Sequence, residues 1–363
     1  MRVGLTLYGD LGERSGGFRY DRKLVAGLRA AGHEVEVISL PWRAYPRGLL
    51  DGFSSRVRDR LTVDVDVMLQ DELAHPSLVR HNPQLPYPVV SIVHHLRASE
   101  DRPLAPLYRA VERRYLQTVD GAVCNSATTR DVVTNLGVNP KTTVVAPPAG
   151  DRFDPDIDPD EVAARVREGP LRVVFVGNLT ERKGLDTLVV AFDRARRRGA
   201  AVELTVVGRT VEPDHVATVR ETVADRGLED VVTFAGELPD EDLATTLAAS
   251  HVLAVPSRYE GFGIVYLEGM SFGLPAVASA AGGADEIVAD GETGVLVDPG
   301  DAGRIAEALV RLDADRDRLA RMGRAARAYY EAHPDWAETT ARVRALLTAI
   351  MNGDRRRDRE VTT

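Results

Sequence analysis

Short apolar runs of strand length recur along the chain, each followed by a glycine-bearing or polar turn and then by residues at helical spacing. Arg2-Val-Gly-Leu-Thr-Leu-Tyr8 leads into a loop from Gly9 to Gly17, a helical segment from about Phe18 to Ala31, and the run Glu34-Val-Glu-Val-Ile-Ser39. Strand, glycine-rich loop, helix, strand opens a doubly wound parallel sheet, because parallel neighbours need a crossover far longer than a hairpin. The pattern restarts at Leu171-Arg-Val-Val-Phe-Val-Gly177, a run as apolar as the first. A chain of 363 residues also exceeds one comfortable core. The expected class is therefore α/β with two domains, 1–153 and 171–333, joined by a Pro- and Asp-rich linker at 154–170. The first loop is not a true Gly-x-Gly-x-x-Gly, so no dinucleotide cofactor is read from it.

The most informative stretch lies in the second domain. The strand-like His251-Val-Leu-Ala-Val-Pro256 enters Arg258-Tyr-Glu-Gly-Phe-Gly-Ile-Val-Tyr-Leu-Glu-Gly-Met-Ser-Phe-Gly-Leu-Pro275. Pro256 and the paired glycines end the strand, and Ile264, Val265, Leu267 and Met270 then recur at roughly helical spacing. A helix start leaves backbone N–H groups unpaired, its dipole favours an anion, and glycine lets the backbone come close to it. Glu268 sits just over one turn inside the helix, and Glu260 sits in the loop, where each can accept hydrogen bonds from hydroxyls. This arrangement suits a nucleoside diphosphate with a ribose on one side and a sugar on the other. A second candidate phosphate site is Asn178-Leu-Thr-Glu-Arg-Lys-Gly184, where Arg182 and Lys183 precede a helix start near Leu185. A guanidinium fork beside a compact ammonium can neutralise a diphosphate. Only three residues are lysine, Lys23, Lys141 and Lys183, so a lysine at this turn calls for a reason.

Glu260-Gly-Phe-Gly263 through Glu268, with the preceding Pro256-Ser257, the following Gly273-Leu-Pro-Ala-Val-Ala-Ser279 and the Lys183-Gly184 turn, resembles the retaining glycosyltransferases of family 4. The resemblance covers nearly the whole chain and is most specific from Val173 to Val297. It implies the GT-B fold: two facing Rossmann-like doubly wound domains, the first on the acceptor side, the second holding the nucleotide sugar. It also implies a helix at 334–352 crossing back to the first domain, after which 353–363 reads as a loose polar tail. The implied reaction moves a sugar from a nucleotide-diphosphate donor to a hydroxyl acceptor with retention. In that reading Arg182, Lys183 and the helix start near Gly263 stabilise the leaving diphosphate, Glu268 binds the ribose, and Glu260 holds sugar hydroxyls. Phe262, Gly263, Ile264 and Val265 shape that site, and Gly16 and Gly17 approach the donor. Gly177 and Asn178 open the phosphate motif that ends in Lys183-Gly184, and Gly208, Arg209 and Leu238 lie at strand ends near the base. His94 takes the sugar-facing histidine position after Val89-Val-Ser-Ile-Val93, with His95 where the family often has aspartate. No metal and no cofactor beyond the sugar nucleotide is expected, since Arg and Lys can replace a cation. Two other readings share this scaffold: an epimerase acting on sugar nucleotides, and a binding protein with an inactive site.

Composition narrows the partners. The net charge is −9, and it is uneven: 19 basic against 16 acidic residues through Gly150, then 27 against 39. An acidic chain argues against nonspecific nucleic-acid binding. The single cysteine, Cys124, excludes an internal disulfide and sits in an apolar strand as a buried, inert thiol. No leader-like segment precedes the first strand, and no apolar run is long enough to span a bilayer, so a cytoplasmic location is expected. Trp42, Arg43, Tyr45, Arg47, Leu50, Phe53, Arg56, Arg58 and Arg60 mix aromatic, aliphatic and basic residues. Residues 42–60 therefore suit either a loop and amphipathic helix beside the acceptor or peripheral contact with an anionic membrane face. Asp64-Val-Asp66 has the form of a metal motif but alternates like a strand approach and is discounted.

Overall fold

The computed structural model describes residues 1–13, 15–99, 103–167 and 169–361, and divides into two compact units. The first comprises Met1–Ala149 with Pro334–Thr363, the second Gly150–His333. Each is built on one six-stranded, all-parallel sheet. The first sheet holds β1 (Arg2–Tyr8), β2 (Glu34–Leu40), β3 (Val67–Asp71), β4 (Val89–Val93), β5 (Gly121–Cys124) and β6 (Thr143–Val145), in the order β2-β1-β3-β4-β5-β6. The second holds β7 (Leu171–Val176), β8 (Val202–Val207), β9 (Val232–Gly236), β10 (Val252–Val255), β11 (Ala276–Ser279) and β12 (Gly294–Val297), in the order β12-β11-β10-β7-β8-β9.

Central strands of a parallel sheet are covered on both faces, which requires unbroken apolar runs. β4, β7 and β10 satisfy this and are buried almost throughout, whereas β2, at an edge, buries only part of its length. Both sheets reverse winding direction once, between β1 and β3 in the first and between β7 and β10 in the second. Ligands of open α/β sheets bind outside the carboxyl ends of the strands at such a reversal. The loops that follow β1, β3, β7 and β10 therefore stand where this fold class holds its ligands.

Several boundaries differ from the sequence expectation. The first helix begins at Gly16 rather than Phe18, because Ser15 caps it, its hydroxyl accepting from the Phe18 N–H at 3.3 Å. The segment expected as a linker contains the helix Pro159–Arg165, capped by Asp158, and buries Val162 and Val166 within the second unit. Asp64 and Asp66 lie before β3 and turn to Arg2: Asp64 forms an ion pair with its guanidinium, and Asp66 accepts its backbone N–H at 2.7 Å. Residues 41–60 form two short helices, Tyr45–Asp51 and Ser55–Leu61. The final helix runs from Trp336 to Val361, past the expected start of a loose tail, since Arg, Asp and Glu after Gly353 do not interrupt a helix already propagating. Its Val343, Leu347 and Ile350 join the core built by Val3, Leu5, Leu24 and Val123. Gly27 admits it closely: a Cβ there would lie 2.3 Å from Thr340 Oγ1. Among the described residues no helix is long and apolar enough to cross a membrane.

Candidate functional site

In the second unit, two loops at the β7/β10 reversal are tied to each other. After β7 a 3-10 turn, Glu181–Lys183, precedes Gly184 and the helix Leu185–Arg197. Gly184 has φ +72°, and a Cβ there would sit 2.2 Å from the carbonyl oxygen of Pro256. Only glycine permits both the left-handed turn and this approach of the two loops. The latch continues through Arg258 N–H to the Arg182 carbonyl at 2.7 Å and through Arg182 Nη1 to the Tyr259 carbonyl at 2.7 Å. Gly177 and Gly208 meet at the ends of β7 and β8, where a Cβ on Gly208 would fall 1.8 Å from the Gly177 carbonyl oxygen.

Glu260 is the focus of this loop pair. Its backbone bridges to Gly282, accepting from Gly283 N–H at 2.8 Å and donating to the Ala281 carbonyl at 3.1 Å. Its Oε1 accepts from Lys183 Nζ at 2.5 Å and from Ser257 Oγ at 2.7 Å, while Oε2 lies 3.6 Å from Arg182 Nη1. Burial pushes the carboxyl towards neutrality, but the charges of Lys183 and Arg182 and the hydrogen bonds from Lys183 and Ser257 overcome it. The result is a pKa held down to about 2, so Glu260 is a carboxylate at any ordinary pH.

Past Glu260, Phe262 is buried with its ring 6.0 Å from that of His333, and Gly263, at φ +95°, opens the helix Ile264–Ser271. Tyr266 anchors this helix by donating to the Val255 carbonyl at 2.8 Å. Ile264 and Val265 are half-buried on its first turn. Glu268 is buried on the second turn, with Oε2 3.5 Å from Arg152 Nη1. Arg152 in turn donates to Asp240 at 2.7 Å.

The structure thus joins Arg182, Lys183 and Glu260 directly and places Gly177 against Lys183, a Cβ on it lying 3.5 Å from Lys183 Cε. Arg209 contributes its carbonyl to Leu179 N–H at 2.9 Å, and Leu238 lies just beyond β9, half-buried. Asn178 occupies the turn after β7. Ser257 and Arg152 were not predicted. Ser257 was legible as the hydroxyl three residues before Glu260, whereas nothing local marks Arg152.

In the first unit, Gly16 and Gly17 form the first turn of the helix Gly16–Ala30, and a Cβ on Gly17 would lie 3.1 Å from His94 Cδ2. His94 follows β4. Its Nε2 does not stand free: it lies 3.3 Å from Asp21 Oδ1, and Asp21 and Asp71 are fully buried. Glu72, nearly buried, accepts the backbone N–H groups of His94 at 3.0 Å and His95 at 3.2 Å. Asn125 Nδ2 donates to the His94 carbonyl at 2.8 Å. Burial opposes charge on the His94 ring, but the Asp21 hydrogen bond and the charges of Glu72, Asp21 and Asp71 push its pKa up to about 10. The Asp71 carboxyl is also pushed up, by burial and by the charges of Glu72 and Asp21, well above the usual carboxylate range. Neither acid was predicted. Asp21 repeats with Leu24, Val25 and Leu28 on the buried helix face, and Asp71-Glu72 ends an apolar strand, so both carried a signal.

Two family models match the chain: that described as Glycosyl transferases group 1 over residues 156–329, and that described as Glycosyltransferase Family 4 over residues 14–151.

The chain belongs to the family 4 glycosyltransferases.

Among relatives of this glycosyltransferase family, the GDP-mannose-dependent alpha-(1-6)-phosphatidylinositol monomannoside mannosyltransferase of Mycobacterium tuberculosis is 35% identical over 263 residues, covering 69% of this chain and 66% of that protein. The D-inositol 3-phosphate glycosyltransferase of Corynebacterium aurimucosum is 35% identical over 243 residues, covering 63% and 57%. The matched stretch is thus less than two thirds of either relative. The fold is GT-B: sucrose-phosphate synthase from Thermosynechococcus elongatus superposes with a TM-score of 0.81 at 24% identity, over 97% of this chain and 99% of that one. Anabaena HepE, solved in complex with UDP and glucose, gives 0.77 at 20% identity, over 96% and 100%.

Proposed function

We propose that this glycosyltransferase moves a sugar from a nucleotide-diphosphate donor to a hydroxyl acceptor, with retention and with no metal at the leaving diphosphate. The Lys183–Glu260–Arg182 cluster at the sheet reversal carries the reading. Before the donor arrives, the two cations and the carboxylate satisfy one another. A diphosphate entering over the helix starts at Gly184 and Gly263 takes Lys183 and Arg182 as partners. Glu260, still ionised, then turns its oxygens to sugar hydroxyls. Charge growing on the leaving phosphate meets donors already in place, which is where electrostatic catalysis is strongest. Glu268 receives the ribose hydroxyls, with Arg152 fixing its carboxylate. A carboxylate held by two cations and a hydroxyl is a poor nucleophile, so no glycosyl–enzyme bond is assigned to Glu260. His94 is given no separate step, because its ring nitrogen already faces Asp21.

GDP-mannose is the first donor to test, given the name of the mycobacterial relative. Binding to the folded state alone raises the melting temperature by mass action. A thermal-shift panel of GDP, UDP and ADP with their sugar conjugates identifies the base, and proton NMR of the product gives the anomer. A flat panel from folded protein overturns the reading, whereas donor binding with neither transfer nor epimerisation favours an inactive binding protein. Epimerised donor without transfer favours the epimerase. We place the enzyme in the cytoplasm, in peripheral contact with an anionic membrane through residues 42–60. Exposed Trp42, Leu50 and Phe53 on and beside two short helices, the second of them basic, support that contact.

A further inference from the structure

The loops at the carboxyl end of the first sheet hold an arginine whose charge the fold leaves unanswered. Arg97 opens the 3-10 turn Arg97–Ser99 after β4 and is half-buried. Its guanidinium carbon stands over the ring of Tyr45, 5.3 Å from the centroid, close enough for a cation–π contact. Among the described residues that guanidinium makes no hydrogen bond and no ion pair. Glu112, buried on the helix Ala105–Leu116, turns its carboxyl to the backbone of the turn instead. It accepts from Arg97 N–H at 2.7 Å and from Ala98 N–H at 3.2 Å. By contrast Arg43, two residues before Tyr45, is satisfied within the fold by Asp51 at 3.0 Å.

The surface beneath Arg97 is itself fixed. Tyr45, at the start of the helix Tyr45–Asp51, meets Tyr108 edge-on at 4.8 Å and His75 at 5.4 Å. His75 Nδ1 lies 2.6 Å from the Glu72 carbonyl oxygen. A carbonyl oxygen only accepts, so Nδ1 carries the proton. Burial, helped by the charge of Arg97, lowers the pKa of this imidazole to about 4, so the ring is neutral and Nε2 is a bare acceptor. The Tyr45 O–H therefore donates to Nε2, at 2.9 Å. The loops after β2, β3 and β4 thus meet in one rigid aromatic shelf. They hold the shelf and the backbone of Arg97 in place and leave the guanidinium fork unused. Groups fixed before a ligand arrives lose little entropy when it binds.

We propose that Arg97, seated on Tyr45, selects the acceptor by binding a phosphate group that the acceptor carries in addition to the hydroxyl receiving the sugar. The planar fork presents paired N–H donors that match two phosphate oxygens, which a lysine ammonium cannot do. The carboxyl ends of the strands are where an open α/β sheet holds its ligands, and Arg97 and its shelf stand there through three successive loops. The acceptor role rests on the transferase reading above, whereas phosphate binding by this shelf does not. The site is made wholly from the first unit and is separate from Arg182 and Lys183. The phosphate can belong to a free phosphorylated polyol or to a lipid headgroup.

The test uses the full chain and two probes. Calorimetry follows sn-glycerol 3-phosphate against glycerol, and co-sedimentation follows phosphatidylglycerol vesicles against phosphatidylcholine vesicles. Arg97→Gln should weaken binding of at least one phosphate probe tenfold or more. Arg47→Gln, which removes an exposed charge from the neighbouring helix, should lose far less. Arg97→Lys keeps the charge without the fork and should fall between wild type and Arg97→Gln; it decides the matter where Arg97→Gln fails to fold. A response of the soluble ester identifies a free phosphorylated polyol, and a response of the vesicles alone identifies a headgroup. Wild type that binds neither phosphate probe overturns the site. So does equal loss in Arg97→Gln and Arg47→Gln, or full affinity in Arg97→Lys. Nucleotide binding is measured on the same proteins: a flat nucleotide panel beside Arg97-dependent phosphate binding refutes the transferase reading and keeps the site, and the converse refutes the site alone.

Discussion

Replacing Lys183 with methionine keeps the length of the side chain and removes the closest counter-ion of Glu260. The size of the effect follows from that carboxyl. Carrying it from its ordinary 4.5 to about 2 is worth ~3 kcal/mol of stability at neutral pH. Arg182 and Ser257 remain in Lys183→Met, so the variant should lose about 2–3 kcal/mol, at or below the usual cost of breaking a buried pair. For a unit of this size that is a fall in melting temperature of roughly 5–10 °C. The pH dependence gives the sharper signature. A carboxyl whose pKa is depressed by folding contributes its full stability above the unfolded value. That contribution is lost as pH falls towards the folded value, here between 4.5 and about 2. The gap between wild type and Lys183→Met should therefore be widest at neutral pH and shrink by about half near pH 3. Calorimetric melts of both proteins across that range measure it. A gap that stays constant from neutral pH to about pH 3, or no gap at neutral pH, would refute the account of Glu260 as a carboxylate held by Lys183.

Gly184→Ala forces a Cβ against the Pro256 carbonyl in a left-handed turn, so nucleotide affinity by calorimetry should fall at least tenfold along with the melting temperature; an unaffected variant would show that the latch between the two loops is dispensable. Glu268→Gln should weaken nucleoside diphosphate binding about tenfold while inorganic pyrophosphate binding, which lacks the ribose, stays unchanged; equal losses for both would remove the ribose role. Leu50→Ser with Phe53→Ser, both exposed in the fold, should reduce co-sedimentation with anionic vesicles and leave turnover of a soluble acceptor intact; unchanged sedimentation would argue that residues 42–60 do not meet lipid.

Much of this was open to a reader of the sequence alone, for definite reasons. Parallel central strands must be apolar along their whole length, so β4, β7 and β10 announce themselves. Glu260, Lys183 and Glu268 stand beside glycines that force a turn, so side-chain chemistry and backbone geometry are marked within a few residues. What stayed hidden depends on pairing between distant segments. Asp21 and Asp71 are 50 positions apart, and only strand order brings them to one place. Arg152 reaches Glu268 across 116 positions, with no periodicity to betray it. The proline- and aspartate-rich composition at 154–170 suggested a linker, but two valines, Val162 and Val166, outweighed it by packing into the second unit's core.

The placement of the last helix bears on how the protein is made. Val343 and Leu347 complete a core whose other walls include Val3, Leu5 and Leu24, yet all of 150–333 separates them in the chain. A ribosome adding about 5–20 residues per second takes on the order of ten to forty seconds to cross that interval. Throughout it the first sheet waits with one apolar flank uncovered, and the second unit has every segment it needs as soon as His333 is made. The unit synthesised first is thus the one finished last, and the emerging chain is most exposed to chaperone capture at its amino-terminal end.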